Sequence, residues 1–337
     1  MESIFRTFSA HKHRLMGFEN VIGVGIGYKM VGGAYTRKKA ICVLVKSKKP
    51  LSELPSAQAV PSKIGDHHTD VIEVGEIVLL SHIEKMRPAP PGCSIGHYLI
   101  TAGTFGCVVV DRKGGSRLML SNNHVLANMT DGNDDRAQKG DAIFQPGRYD
   151  HGTSADLIAH LERWVPIHRD VAAPTCPIAK AVESAGNAVM KMMKPNYRMR
   201  FLKAMKAENL VDCALARPVA DDLITQEIID IGVPAGASQA AVGMKVQKSG
   251  RTSGLTKGEI IVIGATLKVA MGDTGDATFS DQLVMTSIGE PGDSGSLVLD
   301  EDDRAVGLLA AGSNKATICG SIQNVLNLLD INLVVKK

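Results

Sequence analysis

Gly289-Glu290-Pro291-Gly292-Asp293-Ser294-Gly295-Ser296-Leu297-Val298-Leu299 sets one serine among glycines immediately before an apolar strand. Glycines flanking a serine let the backbone turn tightly and bring neighbouring N–H groups to one point. Such a pocket can stabilise the oxyanion that forms when a carbonyl is attacked. Serine is a poor nucleophile until a neighbouring base accepts its proton. The stretch is therefore decisive only with partners elsewhere, since Gly-Asp-Ser-Gly also suits an ordinary turn.

Two partners stand upstream. Ser121-Asn122-Asn123-His124-Val125-Leu126 places a histidine directly after a strand, and Leu210-Val211-Asp212-Cys213-Ala214-Leu215-Ala216 embeds one acid in an apolar run. Alone, each has an ordinary structural explanation. The chain order His124, Asp212, Ser294 on an all-β background fits a base, its orienter and a nucleophile. Asp156, in Asp156-Leu157-Ile158-Ala159, is the rival acid. Asp212 is favoured because the stretch from His124 to Asp156 leaves room for few barrel strands.

Working outward, the β texture is general. Short runs lie between glycine turns at 98–101, 105–111, 116–120, 142–145 and 156–165, and again at 210–216, 245–248, 259–263, 267–270, 282–286, 296–299 and 305–311. This punctuation predicts a barrel or sandwich. Ser321 is placed to cap a terminal helix that buries Ile322, Val325, Leu326 and Leu329. The first eighteen residues have helical spacing, and strands are expected at 21–28, 40–45 and 70–80. Arg87-Pro88-Ala89-Pro90-Pro91-Gly92 reads as an extended linker between domains.

Together these segments resemble the chymotrypsin-like (trypsin-like) serine proteases over roughly 94–333. Asn122-Asn123-His124-Val125 is similar to the histidine segment of high-temperature-requirement proteases. Val246-Gln247-Lys248-Ser249-Gly250-Arg251-Thr252-Ser253-Gly254 resembles a second-barrel hairpin of streptogrisin and α-lytic-type bacterial enzymes, and Gly307-Leu308-Leu309-Ala310-Ala311-Gly312 resembles the substrate-pairing edge strand. The resemblance implies a mainly β fold, a double six-stranded antiparallel β-barrel, and leaves the first ninety residues unexplained; the pattern before the prolines predicts that a small α/β N-terminal domain precedes the barrels. Its expected limits are 1–87 for the N-terminal domain, 88–93 for the linker and 94–337 for the protease domain. The first barrel spans about 94–217, with an insertion at about 169–208. The second spans about 218–319, and the terminal helix about 321–330.

The resemblance also implies roles: Ser294 as nucleophile, His124 as base then acid, Asp212 as orienter, and the Gly292 and Ser294 amides as oxyanion hole. It implies a protein or peptide substrate, an acyl-enzyme intermediate and no cofactor or metal. Counting six residues back from Ser294 puts Ile288 at the base of the side-chain pocket, with Ala310, Ala311 and Gly312 on its wall. This disfavours a basic P1 residue, because burying Arg or Lys without a counter-charge costs several kcal/mol. Val125, Ser296 and Ala310 depart from the family pattern at positions often held by Cys, Gly and Ser. Asp293 needs a partner other than a newly cut N-terminus unless the chain is cut near Ser94-Ile95. A catalytically latent protease-fold scaffold is the competing expectation.

Composition sets the outer bounds. The chain has 337 residues, 44% hydrophobic and 22% charged, and its net charge of +3 gives no case for nucleic acid. No apolar run reaches the roughly 18 residues of a membrane span. The opening Met1-Glu2-Ser3-Ile4-Phe5-Arg6 lacks signal-peptide character, so a cytoplasmic setting is expected. Six scattered cysteines without C-x-x-C spacing read as reduced, mostly buried thiols. His67-His68-Thr69-Asp70 and His11-Lys12-His13 lack the spacing of a metal site, and Gly23–Gly27 lacks the context of a dinucleotide loop. The N-terminal domain is expected to serve as a pro-segment, sensor or docking module, with self-cleavage in the linker. In the insertion, Lys191, Lys194, Arg198, Arg200, Lys203 and Lys206 stand without an intervening acid. A solvated rim insertion is the first reading, and a partner or anionic surface the alternative.

Overall fold

The computed structural model describes residues 2–32, 34–75, 82–172, 174, 176–205, 207–272 and 275–336. It divides into two compact units, Met1–Leu79 and Leu80–Lys337.

In the first unit, α1 (Glu2–Met16) is followed by β1 (Val21–Val31), β2 (Ala34–Val45), β3 (Lys63–Ile64) and β4 (His67–Glu73). The strands form one sheet in the order β1-β2-β4-β3, with β2 and β4 parallel. Ile4 and Leu15 of α1 are buried with Ile41, Val43, Val45 and Ile64, so one amphipathic helix covers one face of the sheet. Strand β4 ends at Glu73, and the rest of the strand expected at 70–80 falls partly outside the described residues.

The second unit begins with β5 (Ser94–His97), β6 (Gly103–Thr104), β7 (Cys107–Asp111), β8 (Arg117–Ser121), α2 (Asn123–Leu126), β9 (Ala142–Phe144) and β10 (Leu157–Trp164). The insertion holds β11 (Val171–Ala172), α3 (Pro177–Met193) and β12 (Lys203–Ala204), after which β13 (Ala214–Pro218) returns to the first barrel. The run 103–111 closes this barrel. Its first half pairs with β5 and its second with β8, and the sheet continues through β13, β10 and β9 back to β5.

The second barrel comprises β14 (Gly236–Ala237), β15 (Lys245–Gly250), β16 (Gly254–Ala270), β17 (Asp276–Thr286), β18 (Leu297–Asp300), β19 (Arg304–Gly312) and β20 (Ala316–Ser321). The order β19-β18-β15-β16-β17-β20 closes on itself through β19–β20 pairing, with β14 added in parallel to β19. Helix α4 (Ile322–Leu328) and β21 (Ile331–Leu333) then lead back to β7 of the first barrel. A shared core joins Leu118, Leu120, Cys213 and Leu215 of one barrel to Leu297, Leu299 and Leu308 of the other. The molecule is therefore mainly β, with the chymotrypsin-like double barrel in its second unit.

Several expectations need correction. The Pro-rich segment expected as an extended linker packs into the second unit: Ala89 and Cys93 are fully buried, and the Ala89 amide donates to the Leu223 carbonyl at 2.7 Å. The break between units lies earlier, at 79/80. Residues 98–101 form a turn, and 259–263 and 267–270 belong to one long strand, β16. Asp212 precedes β13 instead of lying within a strand. Ser321 occupies the N-cap position of α4, but its side chain makes no capping bond.

Candidate active site

The chain leaves β8 at Ser121 and turns into α2, where two buried asparagines hold the backbone. Asn122 Nδ2 donates to the Asp212 carbonyl at 2.7 Å, and Asn123 Nδ2 to the carbonyls of Thr130 and Val165. This fixes His124 against the segment entering β13. His124 Nδ1 lies 2.5 Å from Asp212 Oδ2, and the His124 amide donates to Oδ1 at 3.2 Å. The Asp212 side chain is 4% exposed and the imidazole 25%. Burial opposes charging the imidazole, but the Asp212 carboxylate and its hydrogen bond outweigh that and hold the His124 pKa above its ordinary value. With Nδ1–H committed to Asp212, Nε2 is free to accept a proton.

Asp156 has a different role. It closes a capping box with Thr153 and pairs with Lys85 Nζ at 2.7 Å. Those contacts, that with Lys85 first, hold its carboxyl down at about 2.

Ser294 sits on the β17–β18 connection. Gly292 and Gly295 flank its neighbourhood at φ values of 102° and 95°, where a side chain is strained. A Cβ on Gly292 would also lie 2.2 Å from the Arg251 guanidinium, and one on Gly295 2.1 Å from Ser121 Oγ. Asp293, Gly295 and Ser296 donate their amides to protein carbonyls. Among the described residues, the amides of Gly292 and Ser294 have no protein acceptor. Ser294 Oγ donates to the Ala310 carbonyl at 3.4 Å and makes no hydrogen bond to His124.

Behind this loop, the fully buried Asp293 carboxylate meets Lys248 Nζ at 2.9 Å, Ser253 Oγ at 2.5 Å and the amides of Thr252, Ser253 and Glu290. Burial alone would raise the Asp293 pKa, but the Lys248 charge and these donors hold it below the usual carboxylate value. Lys248 is thus the partner that Asp293 lacked in the sequence. Thr104 bridges the barrels: its amide donates to the Ser294 carbonyl at 2.8 Å, and its hydroxyl to that of Gly292 at 2.9 Å. Arg251 Nε reaches Asp150 Oδ2 at 2.8 Å, and Ser94 Oγ donates to the same carboxylate. Sequence reading passed over Thr104, Asp150 and Arg251. The Ser249-Gly250-Arg251-Thr252 motif was the available signal for Arg251; the other two carry none.

His124, Asp212 and Ser294 open on one cavity of about 1000 Å³, also lined by Glu290, Leu309, Ala310, Ala311, Gly312 and Thr317. Leu267–Gly272 of the long β16–β17 hairpin, Met129 and Phe279 also line it, apolar but for Lys268. Ile288 is absent from the lining. Its side chain is 4% exposed and packs with Val246, Ile260 and Met285 in the barrel core, which corrects its placement at the pocket base. Thr317 is on the cavity wall instead, accepting the Ile288 and Gly289 amides at Oγ1.

No family model matches the chain. Over 87 residues it is 37% identical to serine protease 2 of Streptomyces fradiae, a match covering 26% of this chain and 47% of the relative. The chain thus spans about half the length of the curated relative it matches. This chain resembles a bacterial chymotrypsin-like serine protease. Among solved structures, Thermobifida fusca protease A aligns with a TM-score of 0.47 and 16% identity, covering 74% of this chain and all of that one. Nocardiopsis protease aligns at 0.45 and 16%, covering 73% and 99%.

Among the described residues, no cluster of His, Cys, Asp and Glu could hold a metal ion. His67 Nε2 instead lies 3.1 Å from Ser3 Oγ, and His11 Nδ1 2.9 Å from the Thr7 carbonyl. No described helix is long and apolar enough to cross a membrane.

Proposed function

We propose that this chain is a serine endopeptidase that cleaves protein or peptide substrates through an acyl-enzyme. The observation that carries this reading is the 2.5 Å contact between His124 and Asp212 on the wall of the cavity that also holds Ser294. Ser294 Oγ turns from the Ala310 carbonyl towards His124 Nε2, which takes its proton as Oγ attacks the substrate carbonyl. The Gly292 and Ser294 amides receive the developing oxyanion. Protonated His124 then gives its proton to the leaving amine, and a water activated by the same imidazole hydrolyses the ester. Asp212 holds the tautomer and stabilises the imidazolium without taking the proton. Catalytic hydrogen bonds commonly tighten only when substrate binds.

The wall of Leu309, Ala310, Ala311 and Gly312 favours a small or medium apolar P1 side chain. Glu290, exposed at the cavity and not engaged by His124 as Asp212 is, would favour a basic residue. A peptide library cleaved cleanly after Arg or Lys would reverse this assignment.

A role for residues 1–79 in docking or regulation, and a cytoplasmic setting, belong to the same proposal. The setting is supported by six unpaired cysteines. Self-cleavage within 87–94 is disfavoured by the burial of Ala89 and of residues 91–94.

The decisive experiment is labelling with a fluorophosphonate. Labelling of wild type but not Ser294→Ala is expected. Absence of labelling favours the second reading, a latent scaffold, which draws on the Ser294 Oγ–Ala310 hydrogen bond.

A further inference from the structure

Helix α3 is inside out for a globular protein. At 100° per residue, Ile178, Val182, Ala185, Val189, Met192 and Met193 share one face, while Lys180, Glu183, Ser184, Asn187 and Lys191 share the other. An amphipathic helix on a soluble domain turns its apolar face to the core. The side-chain hydrogen bonds of α3 run to the returning chain of the insertion: Asn187 exchanges two with the Met199 backbone, and Glu183 accepts the Phe201 amide at 2.8 Å. The apolar face is left to solvent, with Ile178 74%, Val189 54%, Met192 88% and Met193 72% exposed. Beyond the helix, Tyr197 and Leu202 are also exposed, at 65% and 56%.

Charge identifies what covers this face. Between Pro177 and Lys203 the chain carries Lys180, Lys191, Lys194, Arg198, Arg200 and Lys203 against one acid, Glu183. All six cations are exposed, and among the described residues none joins an ion pair. A second copy would bring like charges together, at a cost. We infer that the α3 insertion is an interfacial membrane anchor, its apolar face lying in the headgroup region of a bilayer and its cations on anionic lipid headgroups. Arg198, Arg200 and Lys203 are interleaved in the chain with Tyr197, Met199, Phe201 and Leu202, and Lys180 and Lys191 stand opposite the apolar face of α3, as an interfacial helix with anionic headgroups above acyl chains requires. Strands β11 and β12 pair, and Asp170 beside them accepts the Thr278 amide at 3.0 Å on the hairpin that walls the cavity.

Flotation of the full chain with vesicles tests the inference independently of any proteolysis. Wild type is expected to float with equimolar phosphatidylglycerol and phosphatidylcholine but not with phosphatidylcholine alone, and to be released by salt. A polarity-sensitive fluorophore on Cys176, the exposed cysteine just before α3, should shift to the blue with the anionic vesicles. Val189→Asp with Met192→Asp should weaken binding at least tenfold, and Arg198→Ala with Arg200→Ala by roughly fivefold per cation. Both pairs of positions are exposed, and thermal melts check that each variant is folded. Failure of wild type to bind anionic vesicles overturns the inference. So does equal binding by the aspartate variant, or a solution dimer that the aspartates dissolve.

Discussion

Lys248 Nζ lies 2.9 Å from Asp293 Oδ2, both side chains fully buried immediately behind Ser294. The loop that carries the serine is therefore braced by a cation from within the chain. A buried pair of this kind is more costly to break than it is favourable to form.

Lys248→Ala leaves the Asp293 carboxylate buried and unpaired. A loss of about 3–5 kcal/mol in unfolding free energy is expected from urea melts. kcat should fall more than KM rises, because the displaced loop carries the proposed oxyanion donors. An unchanged kcat would show that the loop holds without this pair.

Asp212→Asn keeps the shape of the site and removes its charge. A fall in kcat of about 10⁴-fold is expected, as for loss of the orienting acid in such a triad. Asp156→Asn touches a capping box instead, so it should cost about 1 kcal/mol of stability and leave kcat/KM unchanged. Assaying both variants separates the two candidate acids.

The pH dependence follows from the raised His124 pKa. As the proposed base, His124 must be neutral to accept the serine proton, so kcat/KM should climb with pH and reach half its plateau above about 6.5, the ordinary imidazole value. Asp212→Asn removes the charge that raises the pKa, so the residual limb should move to lower pH. Stability has the opposite sense. The His124–Asp212 pair contributes fully below the unfolded-state pKa and is lost as pH rises through the folded one. The stability difference between wild type and His124→Ala in urea melts should therefore narrow as pH rises across this range.

Gly292→Ala meets both a positive φ and the Arg251 guanidinium. A destabilisation above about 1 kcal/mol is expected from the backbone alone. Fluorophosphonate labelling should slow with it, since the substituted amide is one of the two proposed oxyanion donors. Wild-type labelling rates would remove Gly292 from that role.

Much of the fold was legible because its signals are local. The β runs at 105–111, 116–120, 142–145 and 282–286 each lie within observed strands or overlap them closely, and the burial of Ile322, Val325, Leu326 and Leu329 follows from helical spacing. The errors arose where neighbours in space overrode local preference. Prolines at 88–91 read as a linker because they lack donors, yet Ala89 pairs with the chain near Leu223. Ile288 was placed in a pocket by counting residues, although the direction of its side chain is set by the barrel core it enters.

The amino-acid sequence alone determined the element types, the β architecture and the identity of the residues with unusual chemistry, because periodicity, glycine turns and side-chain reactivity are properties of short segments. Only the tertiary structure decided which of two acids meets His124, that Lys248 braces Asp293, that Thr104 and Arg251 link the barrels, and that α3 faces outward. The pairings depend on barrel closure, which brings residues 45 to 188 positions apart within 3 Å. Local pattern cannot specify such contacts.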